Sequence, residues 1–265
     1  MGFDQLRLAG DWLPGIAYWR GITEAYQQNN VEVITTAVPS TGSIKERAEV
    51  LHDQIKTRAK GKDVNVIAHS MGGLDSRYLI SRIKPTEYNV RSLTTIATPH
   101  HGSSAADIIL REIGPDYLPR LYALISRMGM STGAFSQLTR AYAEEFNRET
   151  PNLSTTRYFS YGASCTPHLF SMFRLSHDLM YELEGPNDGL VSVKSSKWPS
   201  DEDVRESGVE GEGYKGTLMG VTHLDLINWT NRIKRIACRL GLKKQEFDAV
   251  AFYLHIADML AKEGL

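Results

Sequence analysis

Strand-like and helix-like segments alternate along this chain, and this alternation limits the fold more than any other feature of the sequence. Short β-branched runs at residues 31–38, 64–68 and 90–97 are typical of strands, and helical patterns separate them. The first of these helices begins with a capping box formed by Ser43 and Glu46. Strands separated by helices pair in parallel, because tight hairpins cannot join parallel strands. We therefore predict an α/β fold: a mostly parallel sheet with helices on both faces.

The stretch NVIAHSMGG at residues 65–73 joins a strand to a helix through a turn of small residues around one serine, Ser70. This arrangement is typical of a nucleophile elbow, where small residues two positions before and after the serine, here Ala68 and Gly72, relieve crowding. The backbone N–H of Met71 can then donate to the oxyanion that forms when Ser70 attacks a carbonyl carbon. We predict Ser70 as a nucleophile and Met71 as an oxyanion donor. An ordinary turn with a capping serine is the alternative interpretation.

A serine nucleophile in this fold requires an acid and then a histidine later in the chain. Asp188 lies in the turn PNDG, and His223 follows a loop and precedes a helical pattern. The order Ser70, Asp188, His223 matches that of the fold, so we predict these three residues as a catalytic triad. For the histidine of the triad, the less suitable alternatives are His168, His177 and His255. For the acid, they are Asp201 and Asp203. We expect His69, His100 and His101 either to support the catalytic side chains or to have structural roles.

Composition narrows the possible partners. Thirty basic and 31 acidic residues give a net charge of −1, which provides no strong field for binding nucleic acid. The two cysteines, Cys165 and Cys238, lack metal-binding spacing and are typical of reduced thiols in an intracellular protein. No apolar run approaches the ~18 residues of a membrane span. We therefore expect no nucleic-acid partner and no transmembrane segment.

These motifs resemble those of the fungal, mitochondrial-type triacylglycerol lipases of the α/β-hydrolase superfamily. Besides the elbow, the resemblance rests on IATPHHGS at residues 96–103, PNDGLV at 186–191, SSKW at 195–198 and HLDLINW at 223–229. It covers nearly the whole chain. The resemblance implies hydrolysis of ester bonds in neutral glycerolipids, with Ser70 as nucleophile, His223 as general base and acid, and Asp188 as its partner.

The resemblance also implies a single domain over residues 1–265 with a helical insertion at residues 106–150 that acts as a lid. A lid would hide an apolar acyl groove in water and expose it at a lipid surface, which predicts transient contact with lipid. An ordinary buried helix is the alternative. The apolar residues that would form the lid surface are Leu118, Leu121, Tyr122, Leu124, Ile125, Met128 and Met130.

Bacterial relatives of the resembled group bind a structural calcium ion partly through the aspartate that corresponds to Asp225. Where those relatives have a second ligand four positions later, this chain has Trp229. One carboxylate is a weak site, because Ca²⁺ takes six to eight oxygen ligands. We therefore expect no obligatory metal and no cofactor.

In the resembled family, a strand and a His-Gly-hydrophobic loop precede the motif that stands here at residues 2–4. We therefore expect an N-terminally shortened chain without the first central strand and the second oxyanion donor, with any targeting region upstream and a cytoplasmic or mitochondrial location. Losing one such donor typically lowers kcat by ~10² to 10³. This leaves a pseudo-hydrolase that binds lipid as an alternative. A soluble carboxylesterase or a phospholipase could also use the same triad.

Overall fold

The computed structural model describes residues 5–6, 16–17, 19, 21–39, 42–111, 135–167, 171, 173–200, 212–228 and 247–265. The strands are β1 (Gln5–Leu6), β2 (Ile16–Ala17), β3 (Val64–His69), β4 (Val90–Ile96), β5 (Arg157–Ser164) and β6 (Gly213–Met219). The helices are α1 (Ile22–Gln28), α2 (Ile44–Ala59), α3 (Gly72–Tyr78), α4 (Ser104–Arg111), α5 (Arg140–Glu149), α6 (Arg174–Glu184), α7 (Val193–Ser196) and α8 (Ala249–Lys262). A π-helical turn, Leu79–Ile83, extends α3, and a 3₁₀ turn, Asp225–Ile227, follows β6.

Strands β3, β4, β5 and β6 form one parallel sheet in that order, which confirms the predicted α/β class. Strands β1 and β2 pair antiparallel in a separate sheet of their own. Among the described residues, β3 has a strand neighbour only on its β4 side. Within the described ranges, the strand that carries the elbow is therefore the last strand on that side.

Helices cover both faces of the sheet. On one face, Leu51 and Ile55 of α2 belong to an apolar cluster with Leu93 of β4. On the other face, residues of α1 and α8 form a second cluster with β4 and β5, which includes Ile22 and Tyr253. The capping box of α2 is present as predicted, with Ser43 and Glu46 each bonding the other's backbone N–H. Strands β4 and β5 are each buried at every residue but one, as expected for strands covered on both faces.

The prediction of a strand at residues 31–38 is wrong, because the structure shows this segment without strand pairing. The backbone N–H of Ala37 donates to Gln54 Oε1 over 3.0 Å, and the Gln54 amide donates back to the Ala37 carbonyl. The Thr35 carbonyl accepts from the Arg58 guanidinium. A strand needs a neighbouring strand for its hydrogen-bond ladder, and here side chains of α2 supply the partners instead.

The predicted insertion at residues 106–150 begins in α4 and ends just beyond α5. Residues 112–134, which hold all seven apolar residues of the predicted lid surface, lie outside the described residues. Phe135 and Leu138, at the end of the insertion, pack against a cluster that contains Met71 and Leu224. In the ranges that the structure describes, no helix has both the length and the apolar character needed to cross a membrane.

Candidate active site

The turn between β3 and α3 holds Ser70 in an unusual backbone conformation. Its φ angle is +57°, in the left-handed region that L-residues adopt at a cost of roughly 1–2 kcal/mol. Tertiary contacts keep it there: the Ser70 N–H donates to the Ile96 carbonyl over 3.0 Å, and Thr98 Oγ1 donates to the Ser70 carbonyl over 2.7 Å. A Cβ on Gly73 would lie 2.6 Å from Thr98 Cγ2, so any other residue there would displace the Thr98 side chain. This sharp turn is the geometry that the sequence predicts for a nucleophile elbow.

Asp188 and His223 form a buried pair. His223 Nδ1 lies 2.7 Å from Asp188 Oδ2, and both side chains are fully buried. The other oxygen of Asp188 accepts from the N–H groups of Leu190 and Val191, over 2.9 and 2.8 Å. A backbone bond from the His223 N–H to the Asp188 carbonyl, 3.1 Å long, adds a second link between the two loops. The carboxylate therefore fixes the imidazole with Nδ1 as the protonated nitrogen.

Asn187, which is not among the predicted site residues, holds the turn that carries Asp188. Its Oδ1 accepts from the Gly189 N–H over 2.9 Å, and its amide donates to the His177 carbonyl over 3.2 Å. Ser176 Oγ donates to the Gly189 carbonyl over 2.6 Å. Gly189 has a φ of +99°, which suits glycine. The motif PNDG indicates a turn at Asn187. It does not reveal the side chain's role, because the amide donates to carbonyls on α6 and just after it.

The imidazole of His223 packs against that of His69, at the end of the elbow strand. The two rings lie with centroids 4.4 Å apart at 42°, and His69 directly precedes Ser70 in the chain. Burial, and then the neighbouring His223, hold the pKa of the His69 imidazole well below its usual range. His69 is therefore neutral at neutral pH and adds no positive charge next to His223. His223 Nε2 is buried and makes no hydrogen bond to any residue that the structure describes, which leaves this atom able to accept a proton.

Met71 stands at the start of α3, as an oxyanion donor in an elbow requires. It is the helix N-cap residue, and its N–H makes no hydrogen bond within the described part of the chain. Its side chain is buried in an apolar cluster with Leu74 and Leu224. Leu224 follows His223, so this cluster ties the start of α3 to the histidine loop.

His100 and His101 take part in packing around β4 and not in the Asp188–His223 pair. His100 is fully buried, its Nε2 lies 2.9 Å from Thr95 Oγ1, and its ring stacks on Trp198. His101 is exposed, and its Nε2 lies 3.2 Å from the Lys197 carbonyl. The two adjacent rings thus have different surroundings.

The alternative histidines and aspartates for the triad either lie away from the Asp188–His223 pair or fall outside the described residues. His177 contacts the neighbouring Asp178 on α6, with Nδ1 3.0 Å from Oδ1. His255 is exposed on α8. The remaining three, which lie outside the described residues, are His168, Asp201 and Asp203.

Asp225 braces the histidine loop. Its Oδ2 accepts from the N–H and the hydroxyl of Thr222, over 3.1 and 2.8 Å. The part of the chain that the structure describes holds no group of three or more side chains suited to a metal ion. Trp229, at the second position of the calcium pattern, lies outside the described residues.

Comparisons with known proteins agree with this geometry. Residues 21–238 match the family model described as palmitoyl protein thioesterase. The chain is 41% identical over 261 residues to Triacylglycerol lipase 2 of Saccharomyces cerevisiae, covering 94% of this chain and 74% of that protein. A Triacylglycerol lipase of Vibrio cholerae is 25% identical over 289 residues, covering 96% of this chain and 85% of the relative.

Solved structures share the fold. A lipase of Staphylococcus hyicus superimposes with a TM-score of 0.66 at 21% identity, over 97% of this chain and 93% of that one. Lipase 1 of Pelosinus fermentans gives a TM-score of 0.66 at 19% identity, over 97% and 96% of the two chains. The fold, the match over residues 21–238 and the identity to the yeast protein lead to one conclusion. This chain belongs to the family that the palmitoyl protein thioesterase model describes, and to the triacylglycerol lipase family that includes the yeast Triacylglycerol lipase 2.

Proposed function

We propose that this protein is a triacylglycerol lipase, a serine hydrolase that cleaves carboxylic ester bonds of neutral glycerolipids. The observation that carries the proposal is the buried Asp188–His223 pair, with the His223 ring packed against the residue before Ser70. The positive φ of Ser70 supports its role as the nucleophile. The identity to the yeast Triacylglycerol lipase 2 supports the substrate class.

In the proposed first step, Ser70 Oγ attacks the ester carbonyl carbon while its proton passes to His223 Nε2. Asp188 keeps the other ring nitrogen protonated and stabilises the imidazolium that forms. The carbonyl π electrons move to oxygen, and the Met71 N–H donates to this oxyanion. The tetrahedral intermediate then collapses, the bond to the glycerol oxygen breaks, and His223 gives its proton to that oxygen.

The second step repeats this proton transfer with water. The acyl group is now an ester of Ser70, and His223 Nε2 accepts a proton from the attacking water molecule. Collapse of the second intermediate returns the proton to Ser70 Oγ and releases the fatty acid. His69 stays neutral throughout, so it does not repel the His223 imidazolium.

We also propose that residues 1–265 form one domain in which the insertion at residues 106–150 covers the site as a lid. Support comes from its described ends, because Phe135 and Leu138 pack on the cluster that contains Met71. In this proposal the lid mediates contact with a lipid surface. We further propose an intracellular location, cytoplasmic or mitochondrial, because neither cysteine in the sequence has metal-binding spacing and both are typical of reduced thiols.

Active-site labelling and product release together test the proposed function. A fluorophosphonate probe should label the wild-type protein and Ser154→Ala, which changes an exposed turn residue, but not Ser70→Ala. Triolein emulsions should release oleate with the first two proteins and not with the third. Labelling without release would instead support a lipid-binding pseudo-hydrolase. No labelling at Ser70 would refute the mechanism.

Substrate preference separates the enzyme classes that share such a triad. Rates on p-nitrophenyl esters from acetate to palmitate should rise towards long chains, and triolein should be preferred to phosphatidylcholine and to a palmitoyl thioester. A preference for acetate indicates a carboxylesterase, and a preference for phosphatidylcholine indicates a phospholipase. A preference for the thioester indicates the activity that gives the matched family model its description.

A further inference from the structure

His69 is a buried imidazole that takes no proton in the proposed reaction. It ends β3, where its backbone pairs with Ile96 of β4, and Ser70 follows it directly. Its side chain is 2% exposed, and its ring centroid lies 4.4 Å from that of His223. One residue thus belongs to the sheet, borders the proposed nucleophile and contacts the ring of the proposed base.

The bond to Asp188 leaves the His223 ring free to tilt. His223 Nδ1 lies 2.7 Å from Asp188 Oδ2, which fixes the distance between these two atoms. A hydrogen bond tolerates roughly 30° of bending at the donor, and a tilt of that size moves the far nitrogen of the ring, Nε2, by about 1 Å. A displacement of about 1 Å in a reacting group lowers a rate by up to about 10²-fold. A second contact, on the face of the ring, is therefore needed to keep Nε2 in one place.

The chemistry of His69 suits contact with a ring that becomes charged. Burial, and then the neighbouring His223, hold the pKa of the His69 imidazole well below its usual range. An uncharged ring packs against the His223 imidazolium without repelling it. The Ser70 N–H donates to the Ile96 carbonyl over 3.0 Å, so β4 holds both His69 and Ser70. The ring that packs on His223 and the nucleophile therefore keep one fixed relation.

We propose that His69 is a positioning residue for this reaction, whose ring holds the His223 imidazole at the tilt that aims Nε2 at Ser70. This inference rests on the proposed triad. The His69 ring also hydrogen-bonds to the backbone of His223. In our proposal the ring face, and not this hydrogen bond, positions the base. An aromatic ring without polar atoms should therefore serve in its place.

Three substitutions separate the ring face from the hydrogen bond. His69→Phe keeps a ring, His69→Gln keeps a hydrogen-bond donor, and His69→Ala keeps neither. On p-nitrophenyl butyrate, kcat should fall by about 10- to 100-fold in the alanine and glutamine variants and stay within about fivefold of the wild type in His69→Phe. KM should change by less than about threefold in all three, because His69 acts through His223 and not on the substrate.

Three results of these kinetics overturn the proposal. The first is a folded His69→Ala protein with kcat near that of the wild type. The second is rescue by glutamine and not by phenylalanine, which would assign the effect to the hydrogen bond. The third is an equal loss of kcat in all three variants.

His100→Ala is the matched control. It also removes a fully buried imidazole just beyond the end of a central strand, but this ring stacks on Trp198 and not on His223. Its midpoint of unfolding in urea should fall, while kcat stays within about threefold of the wild type. A loss of kcat equal to that of His69→Ala would show that removing any buried imidazole harms the site, and it would overturn the proposal.

Proton NMR tests the position of the ring without any substrate. The proton on His223 Nδ1, in its short bond to Asp188, should give a far-downfield resonance that is absent in Asp188→Asn. In His69→Ala this proton should exchange with water at least about tenfold faster, because a tilting ring opens the bond more often, and His69→Phe should exchange as the wild type does. Unchanged exchange in His69→Ala overturns the proposal. A wild-type protein without esterase activity would refute the proposed function alone, since the exchange rates need no turnover.

Discussion

Replacing Asp188 with asparagine tests the proposed triad at the contact that holds His223. One oxygen of the carboxylate accepts from Leu190 and Val191, and the other faces His223 Nδ1 at 2.7 Å. In Asp188→Asn, the two backbone donors hold the amide oxygen, so the amide NH₂ faces His223. The imidazole then carries its proton on Nε2 and cannot accept the proton of Ser70.

We expect kcat of Asp188→Asn to fall by about 10⁴, as loss of the correct tautomer does in such triads. This corresponds to about 5 kcal/mol in the activation free energy. Initial rates on p-nitrophenyl butyrate give kcat and KM, and circular dichroism checks that the variant is folded. Since the substrate does not contact Asp188 in the proposed mechanism, KM should change little.

Asp225→Asn is the matched control. Its carboxylate is also buried near His223 but bonds to Thr222, so its kcat should stay within about tenfold of the wild type. Equal losses in the two variants, or a folded Asp188→Asn protein with nearly full activity, would refute the assignment of Asp188.

The remaining predictions concern stability. Arg47 and Asp75 pair over 2.7 Å with both side chains 1% exposed, so Arg47→Met should lower the free energy of unfolding in urea by about 3–5 kcal/mol. Adding Asp75→Leu should recover most of it, and an unchanged midpoint in the single variant contradicts the reasoning. Gly73→Ala pushes a Cβ into Thr98 and should cost about 1–3 kcal/mol, and thermal unfolding at the wild-type temperature would contradict this. Burial holds the pKa of His100 well below its usual range, so the unfolded chain binds a proton that the folded chain does not. His100 alone should therefore make stability fall below about pH 6.5 by up to about 1.4 kcal/mol per pH unit. An unaltered slope of stability against pH in His100→Gln contradicts this.

Local chemistry made the elbow predictable from sequence. A strand, small residues and a serine before a helix define a turn whose shape depends on a few neighbouring positions, and the structure shows Ser70 at a positive φ there. The Asp188–His223 contact joins positions far apart in the chain. The order of the triad in the chain and the turn PNDG predict this pair, and the structure places its two side chains 2.7 Å apart.

Features that depend on tertiary neighbours were not predictable. Residues 31–38 have strand composition, but a ladder depends on an adjacent strand that no local pattern encodes. The role of Asn187 depends on the His177 carbonyl on α6, and that of Thr98 on the approach of Gly73. The packing of His69 on His223 likewise follows from how two loops meet.

The left-handed backbone of Ser70 has a consequence for engineering and for evolution. Glycine adopts a φ of +57° without the penalty that serine incurs, so Ser70→Gly relieves the turn while it removes the nucleophile. Directed evolution for thermal tolerance alone would therefore favour glycine at position 70, and with it a protein without the nucleophile. Retention of serine under such a screen would require simultaneous selection for turnover.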